Sequence, residues 1–151
     1  MMRWTPHVTV AAIIEKNNKF LFVEENTRNG IKLNQPAGHL EPNETIINAV
    51  IRETREETAH TIEPQHIVGI YRWFSKDRDC TYLRFCFYAK VVSFDEKQSL
   101  DTGIIKTLWK TENELKKEQQ KCRSPLVLQC ISDYLAGQSY PMSILYDELE
   151  K

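Results

Sequence analysis

The sequence LNQPAGHLEPNETIINAVIRETREETAH, residues 33–60, decides how the rest of the chain is interpreted. It begins with a short apolar approach and a Pro-Ala-Gly turn, and a second turn rich in Pro and Asn follows. The remaining segment contains no Gly or Pro and is typical of a helix. Its last part is crowded with charge: Arg52, Glu53, Arg55, Glu56 and Glu57. No other stretch concentrates ionisable residues at such restricted spacing, so the search for a site starts here.

The predicted helix has recognisable ends. Asn43 is a plausible N-cap and places Glu44 in the first turn, where the helix dipole favours an acid. Pro64 stops any continuation of the helix. A broad, largely apolar face predicts that the helix packs on a sheet; it consists of Ile46, Ile47, Val50, Ile51 and Thr54.

Short runs of β-branched and aromatic residues predict strands on both sides of this helix. The predicted strands are residues 8–14, 19–25, 31–34, 66–74, 81–92 and 104–109. Asn17-Asn18 predicts a hairpin between the first two, and the charged loop 75–79 predicts another. Two further helices are expected after Thr111 and Pro125, with Gly137 at the end of the second. This order predicts an α/β sandwich in which a mixed sheet carries helices on both faces.

The composition is that of a globular protein the size of one ordinary domain. The chain has 151 residues and a net charge of -1, which gives no general attraction to nucleic acid or an anionic membrane. It lacks an apolar run long enough to span a bilayer, and its first residues do not form a signal peptide, so we expect a cytoplasmic protein. The four cysteines have no zinc-site spacing and are expected to be reduced.

The acidic part of the helix suggests a metal site. Glu53, Glu56 and Glu57 are spaced i, i+3 and i+4 and lie on one helix face, where their charges repel. Mg²⁺, or Mn²⁺ as an alternative, would compensate for this repulsion because both ions favour oxygen ligands. Arg52 is placed to orient Glu56, and Glu44 to support the site. Spacing alone nevertheless favours the other interpretation, a solvated helix face with ordinary ion pairs.

The fixed spacing between these glutamates and the preceding glycine favours a metal site over a solvated helix face. Gly38, Glu44, Arg52-Glu53 and Glu56-Glu57 are spaced as in the Nudix hydrolase signature, G-x5-E-x7-R-E-U-x-E-E-x-G-U, which this stretch resembles. The sequence departs from the signature at three positions. Thr54 and His60 replace aliphatic residues, and Ala59 replaces the second glycine.

The resemblance extends over nearly the whole chain. Segments such as PHVTVAAII, NQPAGHLEPNET, YLRFCFYA, RSPLV and GQSYP resemble the NudJ-like phosphatase group within this family. The resemblance implies one Nudix hydrolase domain over residues 1–151, with the α/β/α sandwich of the family. It also implies that Mg²⁺ is bound by Glu53, Glu56 and Glu57 together with the backbone carbonyl of Gly38 or its neighbour. Water would then attack a phosphorus atom of a diphosphate.

The resemblance also suggests roles outside the metal ligands. Glu53 is the first candidate for the general base, with Asp101, in the loop before the last strand, as the second. An ordinary loop position explains Asp101 equally well. Arg52 is expected to assist catalysis, and Glu41 and Glu44 are expected to support the site from behind the ligands.

The expected substrate is a small phosphorylated molecule: a nucleoside di- or triphosphate, or a pyrimidine diphosphate related to thiamine. Aromatic side chains would stack on its ring and arginines would bind a terminal phosphate. The candidates are Tyr71, Trp73 and Phe74 for the ring, and Arg28, Arg72 and Arg123 for the phosphate. Core packing is the alternative for each aromatic residue, and a surface charge is the alternative for each arginine.

Other functions of the same fold predict different features. A catalytically silent sensor of a nucleotide-like ligand would usually have lost a glutamate of the signature, and none is lost here. An RNA-decapping enzyme predicts a basic surface, and an isoprenoid isomerase predicts further catalytic residues that we do not identify. We therefore expect a hydrolase that does not bind nucleic acid or membranes and is a monomer or homodimer.

Overall fold

A computed structural model describes residues 2–150, and its strands form two sheets. The strands are β1 (His7–Ile13), β2 (Glu15–Lys16), β3 (Lys19–Thr27), β4 (Gly30–Asn34), β5 (Ala37–His39), β6 (His60–Ser75), β7 (Cys80–Phe94) and β8 (Ile104–Lys110). The helices are α1 (Ile46–Thr58), α2 (Glu112–Lys117) and α3 (Leu126–Leu135), with short 3₁₀ turns at Gln119–Lys121 and Met142–Ile144.

The first sheet is mixed and the second is antiparallel. The first has the order β5-β1-β7-β6, in which β1 runs parallel to β7 and the other neighbours are antiparallel. In the second, β3 pairs with β2, β4 and β8, all antiparallel. None of the helices in residues 2–150 is long and apolar enough to span a membrane.

Alternating residues of the central strands divide the core into two clusters. Val10 and Ala12 of β1 pack with α1, whereas Ala11 and Ile13 pack with α3 on the opposite face. Strand β3 follows the same rule, so both sheets lie in the layer between the helices. The predicted α/β/α sandwich with a mixed sheet is therefore confirmed.

The first predicted hairpin is wrong in its pairing. The expected partners, residues 8–14 and 19–25, lie in different sheets, because β1 continues into the short strand β2, which pairs with β3. Asn17 and Asn18 do form the turn, with φ of 52° and 62°. Positive φ at both central residues is what a tight two-residue hairpin requires, and asparagine tolerates it. The local signal was right, but it joins β2 to β3 and not β1 to β3.

Helix α1 begins later than predicted. Its N-cap is Thr45, whose side chain accepts a hydrogen bond from the Asn48 backbone N–H at 3.0 Å. Asn43 is instead a turn residue with a φ of 58°, and Glu44 lies before the helix. Glu44 is thereby free to bind other partners than the helix N-terminus.

The end of α1 also differs from the prediction. Pro64 does not stop the helix; it lies within β6 beside an irregularity in the pairing with β7, where a missing N–H is tolerated. The helix ends at Ala59, whose φ is 61° and whose N–H donates to the carbonyl of Arg55. This left-handed conformation favours glycine. Alanine adopts it here at the position where the family signature has glycine.

The second predicted hairpin is confirmed and is longer than expected, because β6 and β7 pair from Ser75 and Cys80 to His60 and Phe94. Two short strands were missed, β2 and β5. The segment Ala37–His39, expected to be only a turn, adds an edge strand to β1, with Gly38 opposite Val10. This pairing fixes Gly38 beside α1. The C-terminal helices begin and end close to the predicted positions.

We predict that Thr45→Ala lowers the free energy of unfolding by about 1 kcal/mol, because it removes the acceptor that caps α1. Thr45→Ser keeps the hydroxyl and is the matched control. Urea denaturation of the metal-free protein measures both. Equal stability of the alanine and serine variants would show that the cap contributes nothing.

Candidate active site

A cleft of about 770 Å³ lies beside β5 and α1. The turn between β6 and β7, the cleft-facing part of β7 and the segment 122–126 form its other walls. Its lining includes the α1 carboxylates Glu53 and Glu57 as well as aromatic and basic side chains. The cleft therefore joins two kinds of surface that the sequence analysis assigned to metal and to substrate.

Three carboxylates meet at the acidic end. One ligand-type oxygen from each of Glu53, Glu56 and Asp101 lies within 4.8 Å of the others. Asp101 comes from the loop before β8 and is held there because its backbone N–H donates to the carbonyl of Glu56 at 3.0 Å. A residue far along the chain thus joins the helix acids.

Glu57 lies next to this group but is not part of it. Its side chain is almost buried, and its carboxylate accepts a hydrogen bond from the backbone N–H of Ala37 at 2.9 Å. Burial raises the pKa of Glu57 to about 9, and the charges of Glu25 and Glu53 add to the effect. Glu57 therefore lines the cleft on the side of β5, and no nearby positive charge offsets its burial.

Arg52 binds most of the acidic residues at once. Its guanidinium donates to Glu44 at 2.8 and 2.9 Å, to Glu53 at 2.9 Å and to Glu56 at 3.2 Å. It also donates to the carbonyl of His39 at 3.1 Å. These hydrogen bonds raise the pKa of Arg52 and, in return, lower the pKa of Glu44. Arg52 thus orients carboxylates on α1 and fixes the helix against the end of β5.

Glu41 and Glu44 surround this arginine from the turn before α1. The Glu41 N–H donates to the Glu44 carboxylate at 2.9 Å, and the Glu41 carboxylate lies 3.6 Å from Arg52. Glu41 is largely exposed and lines the cleft, whereas Glu44 is mostly covered. Both residues thus contact Arg52, Glu44 by two hydrogen bonds and Glu41 by a longer ion pair, and their supporting roles stay a prediction.

The glycine at position 38 leaves room for the carboxylate of Glu53. A Cβ atom added at this position would lie 2.0 Å from Cδ of Glu53. A side chain there would therefore displace the Glu53 carboxylate from its place beside Arg52. The glycine of the signature permits the close approach of β5 to α1 that positions Glu53.

The donor set fits a hard divalent cation. Glu53, Glu56 and Asp101 bring three negative charges within reach of one another, and Arg52 shares its single charge with Glu44 as well. Desolvation raises the pKa of Glu53 although Arg52 lowers it in part, and desolvation raises the pKa of the buried Glu57 as well, so neither carboxyl is fully compensated. Oxygen-only donors that are crowded and short of positive charge are the ligands Mg²⁺ and Mn²⁺ favour.

Two of the predicted aromatic residues line the opposite wall. Trp73 stacks on Tyr82 with ring centroids 5.7 Å apart and planes inclined by 22°. Phe74 is 46% exposed at the same wall. Arg123 also lines the cleft, where its guanidinium lies 2.5 Å from the carboxylate of Glu25.

The other predicted substrate residues lie outside the cleft lining. Tyr71 packs on the core, and its hydroxyl donates to Asp133 at 2.8 Å. Arg72 is exposed, and Arg28 donates to the backbone carbonyl of Asp77 at 2.7 Å beside a smaller cavity.

Sequence reasoning missed three residues of the cleft. Tyr82 supports Trp73, Glu25 binds Arg123, and Arg84 is a buried arginine among the lining residues. The signal for Tyr82 and Arg84 was present, because both alternate with apolar residues along β7. Only the strand pairing reveals that this face opens into the cleft.

Comparison with known proteins identifies the family. The NUDIX domain model matches residues 5–130. The chain therefore belongs to the Nudix family, and it is a Nudix hydrolase.

Particular relatives narrow the group. The chain is 39% identical to Phosphatase NudJ of Shigella boydii over 142 residues, covering 94% of this chain and 92% of that protein. Phosphatase NudJ of Escherichia coli K12 is 38% identical with the same coverage. A solved NUDIX hydrolase from Nitrosomonas europaea is 52% identical, with a TM-score of 0.93, and the match covers 95% of this chain and 98% of that one. The chain is thus a NudJ-like member of the family.

We predict that Gly38→Ala weakens Mn²⁺ binding about tenfold or more, because the new methyl group displaces Glu53. Only the end of a flexible side chain is displaced, so the fold should remain. Electron paramagnetic resonance of Mn²⁺ measures affinity, and circular dichroism checks the fold. Gly30→Ala is the control: its methyl group meets no atom within 4 Å, and its φ of 94° makes it a test of strain alone. Unchanged affinity in Gly38→Ala would contradict the prediction.

Proposed function

We propose that the protein hydrolyses a nucleoside di- or triphosphate, or a pyrimidine diphosphate related to thiamine, and that it requires Mg²⁺. One observation carries the proposal: a single cleft is lined both by Glu53, which belongs to the carboxylate group, with Glu57, and by the stacked pair of Trp73 and Tyr82. A diphosphate joined to a flat ring offers phosphates to a cation held by the carboxylates and a ring to the aromatic side chains. The cleft volume of about 770 Å³ is that of a small-molecule site.

The carboxylates would hold the cation. Glu53, Glu56 and Glu57 are the proposed ligands, with the carbonyl of Gly38 or its neighbour, and the position of Asp101 adds it to this set. When bound, Mg²⁺ supplies positive charge to the phosphate oxygens and acidifies water. Arg52 keeps Glu53 and Glu56 in place by donating to both.

A proton acceptor is needed for the attacking water. Glu53 is our first candidate because it lies at the centre of the site, between Gly38 and Arg52. Asp101 is the second candidate, and its place among the helix acids supports a role that its sequence position left open. Both are acceptor groups of the kind that general-base catalysis requires.

The aromatic wall would bind the ring. Trp73 is held in orientation by its stack on Tyr82, and Phe74 exposes its ring beside it. A nucleobase or pyrimidine stacks on such surfaces. Trp73 and Phe74 line the cleft and Tyr71 does not, which supports assigning ring binding to the first two. Arg123 is the remaining candidate for a phosphate contact among the three arginines first considered.

The binding partners follow from the same cleft. We propose a small phosphorylated molecule and no nucleic acid, since the net charge of -1 provides no general attraction to a polyanion. We propose a monomer or homodimer, one domain over residues 1–151, and a cytoplasmic location. All signature glutamates are present, which supports an enzyme over a ligand sensor.

A screen of phosphate release tests the proposal. The protein is assayed with nucleoside di- and triphosphates, thiamine pyrophosphate and its pyrimidine precursor, with Mg²⁺ and with an excess of chelator. We expect release from at least one of these classes with Mg²⁺, and loss of release on chelation that added Mg²⁺ restores. Release that persists in chelator would exclude the mechanism, and no release from any class would exclude the substrates.

We predict that Glu57→Gln lowers turnover about a hundredfold or more, since a charged oxygen donor is lost from the cation site. The fold should remain, because Gln keeps an acceptor for the Ala37 N–H and removes a buried charge. Glu96→Gln, an exposed position, is the matched control and should have normal activity. Near-normal rates for Glu57→Gln in a folded protein would remove Glu57 from the proposed site.

A further inference from the structure

Arg84 is a buried cation on the floor of the cleft. It is only 6% exposed, yet it is among the lining residues. Its guanidinium donates to the side-chain oxygens of Gln35 at 3.0 Å and Asn34 at 3.1 Å. Both partners are neutral amides, and within residues 2–150 no carboxylate lies within ion-pair distance of Arg84.

Burial without a counter-charge distinguishes Arg84 from the other arginines of the site, since Arg78 also lines the cleft but is exposed. Arg52 is bound to several glutamates, and Arg123 is paired with Glu25. A buried charge is costly unless it is paired, so such a side chain is expected to have an anionic partner. The cleft is the open side from which that partner can come.

The amides hold the guanidinium rigidly. Gln35 is 1% exposed and donates through its own amide nitrogen to the carbonyl of Val127 at 2.7 Å. Asn34 is 6% exposed at the end of β4. These residues immediately precede the turn that leads to Gly38, so one segment sets both the arginine and the acidic end of the cleft. A guanidinium held in this way loses little side-chain entropy on binding a ligand.

Along β7, the cleft ends at Arg84. Tyr82, two residues before it on the same face, supports the aromatic wall, and Cys86, two residues after it, is fully buried in the core. A ligand that reaches Arg84 meets packed side chains behind it. The group that binds there must therefore be the end of a molecule.

We propose that Arg84 binds a free terminal phosphate and so selects diphosphates that end in one over diphosphates substituted at both ends. A terminal phosphate carries close to two negative charges at neutral pH, more than a bridging diphosphate group offers per phosphorus. Guanidinium matches its oxygens with paired donors. This specificity rests on the proposed function, because it concerns substrates of that same cleft.

Equilibrium binding of methylenediphosphonate, a diphosphate analogue that cannot be hydrolysed, tests the role of Arg84. The full chain is titrated with it in the presence of Mg²⁺. We expect Arg84→Lys and Arg84→Gln to weaken binding about tenfold or more, since a paired, charge-assisted contact is lost. The symmetric P,P′-dimethyl ester of the analogue is substituted at both ends and has no free terminal phosphonate, so it should bind the wild type more weakly and be less affected by the substitutions.

Asn34→Asp separates binding from a structural role. It places a carboxylate on the guanidinium at the position of an existing acceptor, so the fold should be as stable as before or more stable. The new carboxylate also gives Arg84 a counter-charge within the protein. It should therefore weaken binding of the analogue about tenfold. Asn26→Asp adds the same charge at an exposed position outside this cleft lining and should have a clearly smaller effect. Equal losses of affinity in Asn34→Asp and Asn26→Asp would show that added charge alone, and not Arg84, explains the effect.

The results also separate this inference from the proposed function. If the wild type binds the analogue through Arg84 but hydrolyses no nucleoside or pyrimidine diphosphate, the proposed function fails and the arginine site stands. If the wild type hydrolyses such substrates and folded Arg84 and Asn34 variants keep its affinity for the analogue, the arginine site is excluded. Failure of the wild type to bind the analogue would also exclude it.

With an active enzyme, the ratio of kcat/KM for a nucleoside diphosphate to that for its nucleotide sugar should fall about tenfold in Arg84→Lys.

Discussion

The contact between Arg52 and its carboxylates is the constraint on which the site depends. One guanidinium binds Glu44 in the turn before α1 and two acids on the helix itself, and it also reaches the carbonyl of His39. Like charges at this spacing would otherwise separate. Because Arg52 is one charge among several acids, it orients them without neutralising them. Their remaining negative charge is what a divalent cation requires, and the family generally uses such cations.

The fold supplies this contact by bringing a short edge strand against the helix. Strand β5 pairs with β1 over only a few residues, and α1 packs on the same part of the sheet. Gly38 lets the two approach so closely that the Glu53 carboxylate occupies the space of the missing side chain. The Ala37 N–H, free on the edge of the sheet, donates to Glu57. The pairing of β5 with β1 therefore also determines where the carboxylates of Glu53 and Glu57 lie.

Fixed local spacing explains what the sequence could predict. The distance from Gly38 to Arg52 lies within one loop and one helix, so a pattern of residues was enough to identify the acids and the fold class. Asp101 and Arg84 depend on pairing between distant segments, and no local pattern shows which loop meets α1 or which face of β7 is open. Tyr71 was misplaced for the same reason: its strand was predicted, but its packing on Asp133 was not. Boundaries set by unusual φ, such as the turn at Asn43, were missed because competing caps were available.

The distribution of charge along the cleft gives these parts a common purpose. The acidic end has more negative than positive charge, and Arg84 has no negative partner beside it. A direct pairing of the two would satisfy both and leave nothing for a ligand. Arg84 instead has neutral amide partners, and the helix acids share a separate arginine. Each side then retains unpaired charge, which a cation together with a phosphate would satisfy under the proposed function. Binding energy is thus reserved for a molecule that brings the missing charges, which is how such a cleft can distinguish phosphorylated ligands from neutral ones of the same shape.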